Sequence, residues 1–374
     1  MFAAVGYASA QARVRALRSR LIDVPTWRRL IDERGPESTL DALATSEAAL
    51  AMGGEGGDLA GGAFGVAGAT FEATGIASSR IDTSVGARVA AWGRALRRRQ
   101  YREAHSLADD VPPRARELLR WYADRFLVHD VKVVVRALHH GHTVHSARDA
   151  MTLDPADDPA VAALTRVRVI DELPVELGDR SPYGRALANA WEQYRRERRS
   201  FYLEVALDLA YHRGLVERIE ALKGGDRADA IELLGRWLAR TNLLAAGRYR
   251  VMSGVSPEEI VNFCLHKDFG DGLAMVQRVA VGASIRDEAA ALGVSLPREG
   301  NDVEALQALE HATDRLRRDA ARARFSRSPF GLGLVLAYLI ELEAESTDLI
   351  TLLEAKLQAL EPFDLRQRVP RAEA

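Results

Sequence analysis

The chain is poor in cysteine, in lysine and in long apolar runs. Cys264 is the single cysteine among 374 residues, which excludes a disulfide framework and a zinc site built from several cysteines. Arginine carries nearly all of the positive charge, because only four lysines are present, and the net charge is -2. The balance excludes a strong global attraction to nucleic acid or to anionic lipid. The lone cysteine fits a reducing cytoplasm, and the N-terminal residues lack the basic segment and apolar core that a signal peptide needs.

One stretch invites comparison with a membrane anchor: SPFGLGLVLAYLIELEAESTDLITLLEAKLQALEPFDL, residues 328–365. Its uncharged run stops at Glu341 and two more glutamates follow, whereas a spanning helix needs about 20 apolar residues. We therefore expect no membrane insertion. Val335, Leu342 and Leu349 recur seven residues apart, with further leucines between and after them. This spacing predicts one apolar face of a long helix.

Most of the chain shows the same helical period, and alternating strand patterns are scarce. We predict an all-α fold. Several polar segments read as helix starts, among them SPY, SGVSPEE and LPREGND. In the second, Ser256 occupies the cap position, Pro257 the first turn and Glu259 the third helical position, as in a capping box.

A glycine-rich segment, residues 52–75, interrupts the helical pattern with the sequence MGGEGGDLAGGAFGVAGATFEATG. Glycine loses much backbone entropy when it is ordered, so a loop or flexible insertion is predicted. A phosphate-binding loop is excluded, because no G-x-x-x-x-G-K-[ST] pattern is present. The chain also lacks H-E-x-x-H and G-x-S-x-G motifs, and Cys264 has no evident activating partner nearby.

Two clusters leave other functions open. HDVKVVVRALHHGHTVH carries several histidines, which could hold zinc or nickel in a metal-dependent enzyme. Those residues are His129, His139, His140, His142 and His145. The competing interpretation is a helix end followed by a polar turn. Arginine-rich stretches such as WGRALRRRQYREAH suggest nucleic acid, but a solvated helix face laced with salt bridges is favoured.

A weak internal repeat joins three helical segments that lie about a hundred residues apart. The segments are FLVHDVKVVVRALHHG, WLARTNLLAAGRYRVMSG and IELEAESTDLITLLEAKLQAL. The alignment pairs Asp130 with Ala239 and Glu345, and Val133 with Asn242 and Asp348. Three similar helical units follow from this spacing.

With these segments in order, the chain resembles the C subunits of the V/A-type rotary ATPases, whose eukaryotic counterpart is the d subunit of the V-ATPase. YASAQARVRALRSRLI is similar to the opening pattern of that family, and RTNLLAAGRYR keeps Asn242, Leu243 and Arg248. The C-terminal stretch resembles the family's P-F-x-x-x-x-x-x-A-Y-L-x-x-x-E-x-E-x-x-N-L segment, with Asp348 at the asparagine position. Three features depart from the family. Val133 stands where the family usually has asparagine, Ala239 stands at a position that is usually acidic, and the glycine-rich segment is the main difference.

The resemblance implies three helical domains around a pseudo-threefold axis that form a funnel, with expected boundaries 1–155, 156–262 and 263–374. It implies a non-catalytic subunit with no cofactor and no metal, present in one copy on the cytoplasmic face of the membrane. Such a protein sits on the proteolipid rotor ring, holds the shaft made of the D and F subunits, and transmits torque for proton or sodium transport. A soluble helical scaffold or regulator without a rotor role remains an alternative.

By the same resemblance, helix ends of the three repeats crowd the funnel that receives the shaft. The candidate partner contacts are Arg136, Asn242, Arg248, Asp348 and Lys356. Asn242 and Asp348 are equally consistent with a cap or a hydrogen bond inside their own domain.

Overall fold

The computed structural model describes residues 6–44, 83–156, 158–178, 181–252, 254–327, 330–360 and 365. Within these ranges every regular element is a helix, so the predicted all-α fold is confirmed. The glycine-rich segment at residues 52–75 lies outside the described residues.

The α-helices run in chain order as α1 (Ala8–Arg18), α2 (Val24–Asp32), α3 (Pro36–Ala44), α4 (Thr83–Ala108), α5 (Pro113–Ala123), α6 (Arg125–His139), α7 (Val144–Ala147), α8 (Pro159–Leu164), α9 (Leu173–Leu177), α10 (Pro182–Glu197), α11 (Phe201–Ala221), α12 (Gly224–Ala230), α13 (Arg236–Met252), α14 (Pro257–Asn262), α15 (Leu273–Ala280), α16 (Ile285–Ala291), α17 (Asp302–Arg327) and α18 (Leu332–Leu357). Short 3-10 turns lie at Arg148–Ala150 and Ile170–Glu172, and a π-helical turn lies at Ile231–Gly235.

The helix starts follow the sequence pattern. Ser256 and Glu259 form a reciprocal capping box in front of α14: the serine hydroxyl accepts from the Glu259 N–H at 3.2 Å, and the Glu259 carboxylate accepts from the Ser256 N–H at 3.0 Å. Asn301 and Glu304 repeat the exchange at the start of α17, with distances of 3.0 and 2.9 Å. These contacts satisfy backbone donors that the first helical turn leaves without partners.

The C-terminal stretch forms the single long helix α18. Its first half is buried on every side, which explains why the sequence is apolar there without a polar face. In the part of the chain that the structure describes, no helix combines the length and the apolar character that crossing a bilayer requires. The uncharged run is therefore part of the hydrophobic core, because its side chains are buried inside the protein.

Among the described residues, the buried apolar side chains form three hydrophobic clusters. The largest takes residues from α1, the second half of α4, the helices from α5 to α13, and the first half of α18. A second cluster is built from the second half of α13 together with α14 to α17. Helices α4, α13 and α18 each contribute side chains to two clusters and so connect two parts of the core.

The third cluster joins the two ends of the chain. Trp27 of α2, Leu40 of α3 and Trp92 in the first half of α4 pack with Leu349 and Leu353 from the second half of α18. All five side chains are almost fully buried. The last helix thus completes a core that the first helices begin, and the predicted domain boundaries 1–155, 156–262 and 263–374 stay a prediction.

In two of the three helices that the sequence repeat aligns, α6 and α13, one side chain fixes the loop that follows the helix. On α6, the Asp130 carboxylate accepts backbone N–H groups of Thr152 and Leu153 at 2.7 and 2.8 Å. On α13, the Asn242 amide accepts from the Leu265 N–H at 2.8 Å and donates to the Leu265 carbonyl at 2.9 Å. Both loops lie 22 or 23 residues beyond the side chain that holds them.

On α18 the corresponding side chain is Glu345, and the segment it holds comes from the other end of the chain. Its carboxylate accepts the Ile22 N–H at 2.6 Å, just before α2 begins. Glu345 is fully buried. At α18 the N-terminal segment therefore takes the place that the following loop takes at α6 and α13.

Gly214 of α11 allows an unusually close approach to α5. A Cβ atom at this position would overlap the indole ring of Trp121. That ring donates its N–H to the Tyr211 carbonyl at 2.8 Å, and it stacks on Tyr183. The small residue is what permits α5 and α11 to pack at this distance.

We expect Gly214→Ala to lower the free energy of unfolding by about 3 kcal/mol, because the added methyl group displaces the indole and breaks its hydrogen bond. Gly225→Ala is the matched control, since it also lies in a helix but has no atom within 4 Å of the added Cβ. Urea unfolding measures both variants. Equal midpoints for the two would contradict the close-packing argument.

Candidate functional site: a charged groove between the long helices

A cavity of about 280 Å³ opens where six helices meet. It lies among α5, α6, α11, α13, α17 and α18, which belong to widely separated parts of the chain. Four cationic and two acidic side chains line it, together with aromatic rings and two histidines. The lining comprises Tyr122, Arg125, Val128, His129, Lys132, Arg136, Asp208, Tyr211, His212, Trp237, Arg317 and Glu343. We call it the cationic cavity.

An ion cluster forms the floor of the cationic cavity. The Glu343 carboxylate lies 3.1 Å from the Arg317 guanidinium and 3.5 Å from that of Arg125. Tyr122 donates its hydroxyl to Glu343 at 2.6 Å and accepts from Arg317 at 2.7 Å. Desolvation opposes ionisation, but the two guanidiniums prevail and lower the pKa of Glu343 to about 2. The acid is thus ionised at neutral pH.

Two ion pairs stand along the cavity wall above this floor. Lys132 donates to Asp208 at 2.6 Å, and Arg136 lies 2.5 Å from Glu204. Arg136 is 44 % exposed at its side chain, so this end of the wall is accessible from solvent.

The two histidines of the cationic cavity carry no charge at neutral pH. Desolvation, aided by nearby Arg97, lowers the pKa of His129 to about 4, and desolvation also lowers the pKa of His212, although Asp208 acts in the opposite direction there. Both imidazoles are therefore neutral at pH 7, and the positive charge of the cavity comes from its arginines and its lysine.

A second cavity of about 380 Å³ adjoins the first, since Asp208, His212 and Trp237 line both. We call it the acidic cavity, because acidic side chains face it and Arg248 is the only cation among the described lining residues. The acids are Asp208, Glu310 and Asp314. Arg248 pairs with Glu310 at 2.6 Å. Together the two cavities form one groove that is positive at one end and negative at the other.

Arg136 and Arg248, two of the five predicted contact residues, line this groove from α6 and α13. Their side chains are 44 and 45 % exposed, and each is held by an intramolecular acid. Asn242 also lines the acidic cavity, but it is only 3 % exposed. Its amide is used by Leu265 and by Asp268, to which it donates at 2.8 Å.

Asp348 and Lys356 lie apart from the groove and are buried in α18. Asp348 accepts two hydrogen bonds from Arg318, at 2.8 and 3.0 Å. Lys356 donates to the carbonyl groups of Ile31 and Glu33, and burial lowers its pKa. In the folded chain these two side chains fasten α18 to α17 and to α2. A direct role for any of the five residues in partner contact stays a prediction.

The floor residues Arg125, Arg317 and Glu343 were not among the sequence candidates. One signal for them exists: Glu343 lies between Leu342 and Ala344 in a helix with a long apolar face, and an acid that is buried in such a helix needs a partner from another helix. The sequence does not identify the partners of Glu343, because Arg317 is 26 residues away and Tyr122 is 221 residues away.

The histidine-rich segment does not converge on one point. His129 lines the cationic cavity, His139 lies 3.3 Å from the Tyr194 hydroxyl, and the other three histidines are turned outward to differing degrees. Among the described residues, no three His, Cys, Asp or Glu side chains come together as metal ligands. The geometry gives no support to a metal-dependent enzyme.

The arginine-rich stretch of α4 is used inside the protein. Arg94 donates to the Asp149 carbonyl at 2.7 Å, and Arg98 donates to the Thr152 carbonyl at 2.6 Å. Arg99 is 2 % exposed and is paired with a glutamate of its own helix at 2.8 Å. The contacts of Arg94 and Arg98 join α4 to the segment that follows α6, so these arginines make contacts inside the protein.

Cys264 is no activated nucleophile. The side chain is buried, and burial raises the pKa of its thiol to about 12. The thiol is therefore protonated at neutral pH and unreactive.

Comparison with known families gives one match over most of the chain. The family model described as ATP synthase (C/AC39) subunit matches residues 77–368, which include every residue that lines the groove. The search of curated proteins gives no match.

Proposed function

Because the chain belongs to the ATP synthase (C/AC39) subunit family, we propose that it is the central-stalk adaptor of a V/A-type rotary ATPase. In this role it is a non-catalytic part of the complex, present in one copy, on the cytoplasmic face of the membrane. It holds the shaft of the D and F subunits, rests on the proteolipid rotor ring and transmits torque between them.

The observation that carries this proposal is the groove. It is walled by long helices from distant parts of the chain, and those helices are cross-linked by ion pairs at its floor. A torque adaptor needs a rigid socket for the shaft, and a cavity formed by packed helices provides one. The three loop-holding helices α6, α13 and α18 support a pseudo-threefold arrangement of similar units around that socket.

We expect Arg136→Glu and Arg248→Glu each to weaken binding of the purified D–F shaft about tenfold, because both side chains line the groove. Calorimetric titration of the full-length chain with the shaft measures the affinity. Arg166→Glu is the matched control: its side chain is 61 % exposed and pairs with Glu176 at 3.0 Å, away from the groove.

Two results would count against the adaptor. One is an affinity that both groove variants leave equal to that of the control. The other is recovery of the tagged chain from native membranes without the shaft proteins or the proteolipid ring, which would favour a helical scaffold or regulator without a rotor role.

A further inference from the structure

The cationic cavity contains more positive charge than its own carboxylates balance. At its floor, Arg125 and Arg317 share the single carboxylate of Glu343. Arg317 is 8 % exposed and the Arg125 side chain is 21 % exposed, so water solvates them only in part. One guanidinium charge at the floor is therefore left without a full counter-charge, which is costly for a desolvated cation.

The other carboxylates near the floor, among the described residues, are shared with cations elsewhere. Asp208 is the one further acid that lines the cavity, and it pairs with Lys132. Asp314 lies one turn before Arg317 on α17 and interacts at longer range with Arg317 first and with Arg318 second, but it faces the acidic cavity, and burial raises the pKa of its carboxyl group. Neither acid gives the floor a carboxylate of its own.

The remaining polar groups of the floor contribute no negative charge. Desolvation raises the pKa values of Tyr122 and Tyr211, so both phenols are neutral. Gln100 accepts from Arg125 at 2.9 Å and contributes a dipole rather than a charge. At the floor of the cationic cavity, two guanidinium groups therefore share one carboxylate, and no other group of the floor that the structure describes carries a negative charge.

The cavity also has room for an incoming group. Its volume of about 280 Å³ is many times the ~30 Å³ that one water occupies. Val128 and the ring of Trp237 provide apolar wall beside the charges, which suits the methylene groups of an acidic side chain. Because the acidic cavity adjoins it, a polypeptide segment lying in the groove meets positive charge at one end and negative charge at the other.

We propose that the cationic cavity receives a carboxylate side chain from the tip of the shaft, which completes the Arg125–Arg317–Glu343 cluster. The proposal rests on the adaptor function above and specifies its chemistry. The neighbouring part of the same shaft segment lies over the acidic cavity, where a basic residue fits and an acidic one is repelled.

The Lys132→Gln variant tests the carboxylate proposal and leaves Arg125, Arg317 and Glu343 unchanged. The substitution removes one cation from the wall and leaves Asp208 unpaired, so an entering carboxylate meets less attraction and more repulsion. We expect shaft affinity to fall about tenfold and its dependence on salt to weaken. Lys132→Arg keeps the charge and should bind within about twofold of the unaltered chain, which separates charge from folding.

Lys267→Gln is the matched control, because Lys267 forms a lysine–acid pair of similar length, 2.7 Å to Glu220, outside both cavities. A double-mutant cycle then combines Lys132→Gln with Asp→Asn or Glu→Gln changes at the shaft tip. One acidic position of the shaft should couple strongly to Lys132 and show no coupling to Lys267.

Two of the following outcomes would overturn the carboxylate proposal, and one would overturn the adaptor function. Equal affinities of the Lys132→Gln and Lys267→Gln variants, or no coupled acid on the shaft, would overturn the carboxylate proposal while shaft binding itself persists. Failure of the unaltered chain to bind the shaft would instead overturn the adaptor function. If inorganic phosphate binds the chain in a Lys132-dependent way and shaft affinity stays unchanged, the cavity is a small-anion site and the carboxylate proposal is wrong.

Discussion

Replacing Glu343 by glutamine should lower the free energy of unfolding by about 3 kcal/mol at pH 7, because an uncompensated charge is then left in a desolvated place. The substitution keeps the shape of the side chain and removes its charge. Arg125 and Arg317 are left facing each other with no carboxylate between them. Urea unfolding measures the loss.

Glu310→Gln is the control for this variant, since it removes an acid from the Arg248 pair, in which both side chains are nearly half exposed. Exposed pairs contribute little, and a change below about 0.5 kcal/mol is expected. An E343Q midpoint no lower than that of E310Q would show that the floor cluster contributes no more than a surface pair.

The effect of Glu343 has a defined pH window. The pKa of its carboxyl group is about 2 in the folded protein against an ordinary value of 4.5, so the unfolded chain binds more protons between these values. The stabilisation from the carboxylate is fully present above pH 4.5 and is lost as the pH falls towards 2. The difference between the unaltered chain and E343Q should therefore narrow over that range.

The helices and their starts could be predicted from the sequence because their causes are local. The spacing of Val335, Leu342 and Leu349 fixes one face of α18, and Ser256 and Glu259 cap α14 within a single turn. The family could be predicted as well, since its motifs follow one another in order along most of the chain. These features need no knowledge of which distant segments meet.

The groove could not be predicted in the same way. Its floor brings together residues 122, 125, 317 and 343, and the ion pair on its wall joins Lys132 to Asp208. No spacing rule relates such positions, because their proximity depends on how long helices cross. Arg136 and Arg248 were found through the family resemblance, whereas Lys132 and Arg125 carry no motif.

The sequence repeat pairs residues that do not always make the same contact in the fold. Helix α13 has Ala239 at the position that aligns with Asp130 of α6 and Glu345 of α18, so the alignment alone suggests that α13 has lost the acid that holds the loop. Asn242 lies one helical turn further along the same face, where its amide reaches the Leu265 backbone. The side chain of α13 that binds the following loop therefore lies three residues after the aligned position, and the hydrogen bonds to the loop are still made.

The loop-holding role leads to the largest expected effect on stability, at Glu345. This side chain is fully buried, accepts the Ile22 N–H at 2.6 Å and lies 3.6 Å from the guanidinium of Arg99, which is itself 1 % exposed at its side chain. Glu345→Ala leaves that cation with less compensation, opens a cavity and frees the segment that joins α1 to α2. A loss of about 4 kcal/mol is expected.

The variant should also release the N-terminal helix before the rest of the chain unfolds, because Ile22 is tied to α18 through this carboxylate. Limited trypsin digestion detects the release as faster cleavage at Arg18 and Arg20. Glu354→Ala, an exposed position on the same helix, is the control and should leave both the unfolding midpoint and the cleavage rate unchanged. If E345A behaves like E354A in both measurements, the carboxylate does not join the chain's two ends.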